Sequence, residues 1–239
     1  PRAFSFKQTY LDYLIQKDLL GRDVDVNSIF RGTNIVKTIE DAISEKFAGY
    51  MGKTDKQIME KLNWFPVSKP KNFKRLLVNR ILTGTGSNEI EELEKSNVTL
   101  KVITLEYTGT LRESLSFPAF NYKDLVSQVW YDENKESMSD FHAQLEMKKF
   151  LFVIFQKKKA SENITLKKIK FWNFPMKDIG EAERVFNETI DCINEGRYDD
   201  LPKVSGSTVT HVRPHGKDAS DTLITPQGTR EIKRSFWLN

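Results

Sequence analysis

The chain has few of the residues from which common catalytic and metal sites are built. It contains one cysteine, Cys192, and three histidines among 239 residues. A single cysteine excludes an internal disulfide, and with scattered histidines it cannot assemble a zinc site. No apolar run approaches the roughly 18 residues that a membrane-spanning helix needs. We therefore expect a folded protein of a reducing, cytoplasmic compartment with no membrane partner.

Two further motifs are missing. No glycine-rich loop follows a predicted strand to hold a nucleotide phosphate, and no nucleophile elbow marks Ser/His/Asp catalysis. The first residues, Pro1 to Lys7, carry neither an initiator methionine nor a signal-peptide pattern. We expect the chain to be part of a longer protein.

Positive charge is in slight excess. The formal net charge is +4 and the sequence pI is near 9.0. This balance is compatible with a polyanionic partner, and it is equally typical of a mildly basic protein without one. The positions of the basic residues therefore matter more than their number.

The first third of the chain shows apolar residues at helical spacing. Helices are predicted at Lys7–Leu20, Thr33–Ala48, Thr54–Leu62 and Lys71–Leu82. Thr54 and Gln57 form a capping-box pattern that opens the third of these helices.

The apolar period then changes to the alternation of strands. Strands are predicted at Val98–Ile103, Leu115–Tyr122, Phe150–Phe155, Ile164–Phe171 and Ser205–Arg213, and helices at Ser139–Lys149 and Met176–Asn194. Phe150–Phe155 is too apolar for a surface element, so it is predicted as a central buried strand. Without a repeat or a composition break, we expect one α/β domain, 1–239, with a mixed central sheet flanked by helices.

The strand from Val98 follows an acidic turn that contains Glu92 and Glu94. Metal-dependent nucleases place a carboxylate two residues before a lysine on such a strand, with a second carboxylate upstream. Here the lysine is Lys101, but Thr99 stands two residues before it. A neutral hydroxyl is a poor substitute for a metal-binding carboxylate. Other Glu-x-Lys pairs occur at Glu133/Lys135, Glu146/Lys148 and Glu231/Lys233, and we interpret these as solvated surface charge.

Several short patches of the sequence form a recognisable series: Gly49-Tyr50, Leu76 to Gly84, Asn97 to Ile103, Ser137 to Phe155, Val212-Arg213-Pro214-His215 and Thr225-Pro226-Gln227-Gly228. Together these patches resemble the MutH family, the GATC-recognising branch of the type II restriction endonuclease superfamily. They occur in the family's order from Gly49 to the end of the chain. The resemblance implies a restriction-endonuclease-like fold and places the chain as the C-terminal part of a two-domain enzyme.

The resemblance also implies a degenerate active site. The family's strand glutamate falls on Thr99, its lysine on Lys101 and its upstream aspartate on Glu92. The family's helix glutamate falls on Asn79 or Arg80. We therefore expect no catalytic residue and no metal in this domain, and Mg²⁺ only for the parent enzyme.

Base-specific DNA contacts use arginine or lysine for guanine and asparagine or glutamine for adenine. By resemblance, base recognition falls on the loop after Arg213 and on the C-terminal hairpin. Lys69, Lys71, Lys74 and Arg75, before and at the start of the predicted helix Lys71–Leu82, are the candidates for phosphate contacts. The predicted DNA-binding residues are Lys69, Lys71, Lys74, Arg75, Arg213, His215, Lys217, Gln227 and Arg230.

The favoured hypothesis is a regulatory domain that binds duplex DNA at GATC and does not cut it. Its expected partners are this DNA and the catalytic MutH-like domain of the same parent chain. One alternative is an active Mg²⁺-dependent nuclease that recruits Glu92, Glu94 and Glu106 as metal ligands. The other is an interaction module that does not bind nucleic acid.

Overall fold

The computed structural model describes residue 29 and residues 38–87, 90–111, 114–132, 138–159 and 163–239. The predicted helix Lys7–Leu20 lies outside these residues. The described helices are α1 (Ile39–Ala48), α2 (Asp55–Lys61), α3 (Phe73–Thr83), α4 (Glu91–Lys95), α5 (Tyr122–Leu125), α6 (Asp140–Glu146) and α7 (Ile179–Asn194). The described strands are β1 (Val98–Leu105), β2 (Leu115–Phe120), β3 (Lys149–Lys157), β4 (Ile164–Asn173), β5 (Thr210–Pro214), β6 (Thr222–Ile224), β7 (Arg230–Ile232) and β8 (Arg234–Leu238).

The strands form three small sheets in the described residues, where the sequence led us to expect one central sheet. Their orders are β1-β3-β4, β2-β8-β5 and β6-β7. The contacts divide the chain into two compact units. The first unit is made by the described residues of Pro1–Arg112 and Lys149–Trp172, and the second by those of Glu113–Lys148 and Asn173–Asn239. Alternation within a strand reports which face is buried, but it does not report which strands pair.

The first unit packs its helices against one face of the β1-β3-β4 sheet. β1 and β3 are parallel, and β3 is the central strand, as predicted for the apolar run Phe150–Phe155. The shared core contains Phe47 of α1, Leu77 of α3, Leu100 of β1 and Val153 of β3. Burying such side chains supplies the main drive for folding.

The predicted capping box at Thr54 is confirmed. Its side chain accepts a hydrogen bond from the Gln57 backbone N–H, and the Gln57 side chain accepts one from the Thr54 N–H. These two bonds satisfy donors at the start of α2 that would otherwise lack partners. The adjacent Lys53 carbonyl accepts from the Leu166 N–H at 2.9 Å, which ties the start of α2 to β4.

The second unit is built around the antiparallel β2-β8-β5 sheet. The predicted strand Leu115–Tyr122 ends at Phe120, because Asn121 caps a short helix that begins at Tyr122. β2 has a bulge between Ser116 and Ala119, around Pro118, whose missing N–H disfavours regular pairing.

The predicted strand Ser205–Arg213 is wrong in its first half. Val204–Gly206 forms a 3₁₀ turn, and the strand begins at Thr210. The cause is local: the Ser207 hydroxyl accepts hydrogen bonds from the Val209 and Thr210 N–H groups. A serine that bonds its neighbouring backbone competes with strand pairing. Across the described part of the chain, no helix is both long enough and apolar enough to cross a bilayer.

Candidate nucleic-acid interface

The positions that correspond to the nuclease motif lie in the first unit, on β1 and near it. Val98 and Leu100 belong to the core, so alternation puts Thr99 and Lys101 on the opposite face of the sheet. Their partners across the parallel pair are Phe150 and Phe152, respectively. A metal site needs anionic oxygens at such neighbouring positions, and β3 supplies phenyl rings instead.

The aromatic surroundings of this face extend beyond β3. The rings of Phe150 and Phe152 are stacked with centroids 6.0 Å apart. Trp172 of β4 lies 5.6 Å from each of them. Lys101 therefore shares its face of the sheet with a cluster of aromatic side chains.

The remaining motif positions also lack the chemistry of a divalent-ion site. Asn79 is completely buried in α3 and carries a neutral amide. Glu92 is half-buried in α4, and its Oε1 accepts a hydrogen bond from the Ile29 N–H at 3.1 Å. One carboxylate, one amide and one hydroxyl do not fit Mg²⁺, which prefers carboxylate and water oxygens in octahedral geometry. Among the described residues, no group of three or more His, Cys, Asp or Glu side chains could hold a metal ion.

The alternative ligand set of Glu92, Glu94 and Glu106 does not converge. Glu92 and Glu94 precede β1, whereas Glu106 follows its eighth and last residue. A rise of about 3.3 Å per residue separates the two ends of β1 by about 23 Å. Glu106 is also engaged in an ion pair with Lys157, at 2.8 Å. The described residues therefore do not assemble Glu92, Glu94 and Glu106 into a metal site.

Three of the four predicted phosphate-contact residues before and in α3 are engaged inside the first unit. Lys69 forms an ion pair with the buried Asp55 at 2.6 Å. Lys74 donates to the Thr104 hydroxyl at 2.5 Å, and Arg75 donates to the Leu100 carbonyl at 2.6 Å. Burial lowers the pKa of the Arg75 guanidinium. The fourth residue, Lys71, is exposed.

The second unit holds its predicted basic residues differently. Arg213 lies exposed on β5, with its guanidinium 5.2 Å from the centre of the Trp237 ring. His215 is also exposed, and its ring packs edge-to-face on the same indole, with centroids 5.7 Å apart. Trp237 of β8 therefore contacts both candidate residues, and stacking on an aromatic face restrains Arg213 without neutralising it.

In the loop after β5, backbone N–H groups form hydrogen bonds within the second unit, whereas the His215 and Lys217 side chains are exposed. The His215 N–H donates to the Lys233 carbonyl, and the Lys217 N–H donates to the Asp221 carboxylate. A Cβ at Gly216 would lie 3.0 Å from the Asp221 carbonyl oxygen, so a side chain there would require this backbone to shift by a few tenths of an ångström. The Lys217 side chain is exposed.

The last two candidates lie on the β6-β7 ribbon. Arg230 is exposed and makes one long hydrogen bond of 3.3 Å to the Thr222 hydroxyl. The Gln227 amide is committed within the unit: its Nε2 donates to the Ile193 and Asn194 carbonyls at 2.8 and 3.0 Å. Its Oε1 accepts from the Tyr198 hydroxyl. Gln227 thus caps the last turn of α7 and attaches the ribbon to it.

We name the exposed residues Arg213, His215, Lys217 and Arg230 the basic patch. None of the four has a carboxylate within 4.0 Å in the part of the chain that the structure describes. Sequence reasoning found all four but missed Trp237, which orients two of them. The signal was present in the aromatic-basic tail Arg234–Leu238, whose register against β5 could not be read from the sequence.

A small mixed α/β fold with an exposed basic patch is compatible with a nuclease-like, DNA-binding class of protein. The chain is 28% identical over 234 residues, 93% of its length, to the type II restriction enzyme Sau3AI of Staphylococcus aureus. The match takes in 47% of that enzyme, so the chain spans about half the length of this curated relative. The identity supports a relationship to restriction endonucleases. No family model matches the chain.

Proposed function

We propose that the chain is a DNA-binding domain that recognises GATC in duplex DNA and regulates a restriction endonuclease without cutting DNA itself. The observation that carries this proposal is the basic patch, whose four side chains are exposed, unneutralised and partly ordered by Trp237. The relationship to a type II restriction enzyme supports DNA as the polyanion.

The patch offers both kinds of contact that DNA recognition uses. Arg213 has a planar guanidinium that can donate two parallel hydrogen bonds to guanine O6 and N7. Lys217 and Arg230 are suited to phosphate oxygens, which position a protein on the duplex without reading its sequence. We assign Gln227 a positioning role, since its amide holds the ribbon that carries Arg230.

The proposed lack of cleavage is supported by the motif strand. Thr99 and Lys101 lie beside phenyl rings, and a divalent ion at that place would have no carboxylate pair to hold it. We propose that Mg²⁺ serves only a catalytic domain elsewhere in a longer parent chain. Occupation of a GATC site by the present domain would then raise the activity of that partner domain through a coupling free energy.

The proposal is tested by titrating labelled duplexes with the chain and following fluorescence anisotropy at two salt concentrations. A GATC duplex is expected to bind more tightly than a duplex of permuted sequence. With about two phosphate contacts, from Lys217 and Arg230, the slope of log K against log[salt] should approach about −1.8. No binding to either duplex at low salt would overturn the proposal in favour of an interaction module.

A second experiment isolates the absence of cleavage. Supercoiled plasmid with GATC sites is incubated with the chain and Mg²⁺ or Mn²⁺, and we expect it to stay supercoiled. Nicking that is abolished in Lys101→Ala would show that the motif strand is active and would contradict this part of the proposal. Nicking that persists in Lys101→Ala and disappears on further purification of the chain would come from a contaminant and would leave the proposal standing; nicking that co-purifies with the chain would contradict it.

A further inference from the structure

A pocket of about 680 Å³ lies in the second unit, beside β5. It is lined by β5 from His211 to Pro214 and by residues of the segment from Tyr198 to Val204. Arg234 of β8 closes one side. A volume of this size lies within the roughly 300–1,000 Å³ of small-molecule sites, so it exceeds what a bare inorganic anion needs.

The charges around this pocket are unbalanced. Lys203, Arg213 and Arg234 line it, against one acidic residue, Asp199. None of the three cations has a carboxylate within 4.0 Å among the residues that the structure describes. Three positive charges around one concavity repel each other, and an anion bound between them would relieve that repulsion.

Some other basic residues of the same unit are neutralised. Arg184 lies between Glu181 and Glu188 at 2.8 Å from each, and Lys233 is 2.6 Å from Asp221. The unit therefore does form ion pairs where acids are at hand. Lys203, Arg213 and Arg234, by contrast, are brought together around one pocket.

Two residues of the lining also have buried polar atoms without partners. His211 is completely buried, and its Nδ1 contacts the Asn239 Oδ1. Because the Asn239 Nδ2 donates to the Ser207 carbonyl, the Oδ1 must accept from His211, which places the proton of neutral His211 on Nδ1. His211 Nε2 is then a hydrogen-bond acceptor, and it has no partner. The buried Nε of Arg234 likewise has no acceptor.

The remaining wall is apolar, with Leu201, Val204, Val212 and Pro214. A fitting ligand combines an anionic group for the cations with a flat ring whose face can pack on this apolar wall. We infer that the pocket binds a nucleoside monophosphate unit, either as a free nucleotide or as a nucleotide of a DNA strand. The inference shares only Arg213 with the basic patch, so it can fail or stand separately from GATC recognition.

The experiment measures binding of three probes by isothermal titration calorimetry: inorganic phosphate, a deoxynucleoside 5′-monophosphate, and the GATC duplex. The main variant is Lys203→Ala, because Lys203 is exposed and its loss should leave the fold intact. Arg234→Gln is the second variant, checked for folding by thermal melting. Lys177→Ala, which removes another exposed lysine of the same unit, is the matched control.

We expect saturable binding of the deoxynucleoside monophosphate, tighter than that of inorganic phosphate. Lys203→Ala should weaken it about tenfold, the loss expected for one hydrogen bond to a charged group. Lys177→Ala should leave it unchanged. If only duplex binding responds to Lys203→Ala and Arg234→Gln, the pocket takes its nucleotide from a DNA strand, which also supports the inference.

The inference is overturned if neither pocket variant changes binding of any probe. In that case duplex binding by the unaltered chain would still support the proposed function. Conversely, binding of the free nucleotide without binding of any duplex would remove the proposed function and leave the pocket assignment standing.

Discussion

The two units engage their basic residues in opposite ways, although these residues look alike in the sequence. Arg75 in the first unit is half-buried and donates to the Leu100 carbonyl. Arg213 in the second unit is exposed and rests on Trp237. Both were predicted to contact DNA. Only a cation that is not already bonded inside the protein can exchange water and counterions for a phosphate without a loss of stability.

The comparison assigns different roles to the two units. In the first unit, lysine and arginine side chains near the motif strand fasten α3 and the segment before it to their neighbours. In the second unit, no residue of the basic patch forms an ion pair with a carboxylate of the described residues. Stability measurements and DNA-binding measurements should therefore respond to different residues.

The largest expected effect is on stability, from Arg75→Met. The methionine keeps part of the apolar volume but leaves the Leu100 carbonyl without its donor. We expect the free energy of unfolding to fall by about 2 kcal/mol, within the range for a buried polar group that loses its partner. Urea denaturation followed by circular dichroism gives this value.

Arg213→Met is the matched control for this first prediction. Arg213 is exposed, and surface substitutions usually change stability by less than about 0.5 kcal/mol. Equal losses in the two variants would remove the distinction between a structural arginine and a free one.

The second prediction concerns DNA affinity. Arg213→Ala should weaken binding to the GATC duplex about tenfold and reduce the preference over a permuted duplex, because a lost bidentate contact to guanine costs about 1–3 kcal/mol. Arg197→Ala removes an arginine that is ion-paired with Glu195 and Asp200, and we expect its affinity to stay near that of the unaltered chain. Equal affinities of the two variants for the GATC duplex, measured by anisotropy titration, would contradict the comparison.

The local elements of the fold could be predicted from the sequence because their causes are local. The Thr54–Gln57 capping box, the alternation in β1 and the apolar run of β3 each depend on neighbours in the chain. The division into separate sheets could not be predicted, since strand pairing is decided between segments far apart in sequence. The isolated turn of α4 was also missed, because a five-residue helix carries too little periodicity.

The residue types of the candidate site could be predicted from the sequence. The partners that these residues contact could not. The absent carboxylate at Thr99 is visible in the sequence, but the phenyl rings beside it depend on the register of β1 against β3. Likewise, Gln227 and Arg230 lie three residues apart, and nothing local distinguishes the amide that caps α7 from the exposed guanidinium. The hydrogen-bond partners of long polar side chains are set by the tertiary structure, which brings together segments that are distant in the sequence.

The third prediction uses that difference between Gln227 and Arg230. Gln227→Ala removes two hydrogen bonds to the end of α7 and one from Tyr198, and we expect a stability loss of about 1 kcal/mol. The salt dependence of DNA binding should stay unchanged, because no phosphate contact is lost. Arg230→Ala should do the reverse, with little loss of stability and a salt slope shallower by about 0.9. A shallower slope for Gln227→Ala would indicate that Gln227 contacts DNA directly.

The smallest expected effect is a pH dependence of the second unit's stability. Burial lowers the pKa of His211 below its ordinary 6.5, the contact with Asn239 opposes this shift, and the charge of Arg213 adds to it. Since the folded state binds the proton less readily than the unfolded state, stability is greatest above pH 6.5 and falls as the pH drops below it. His211→Gln removes this titration, so its urea midpoint should change less between pH 7.5 and about pH 5 than that of the unaltered chain. Carboxylates titrate in the same way in both proteins, and only the difference between the two curves reports on His211. An imidazole pKa at or above 6.5, measured for His211 by NMR, would show that burial does not dominate at this position.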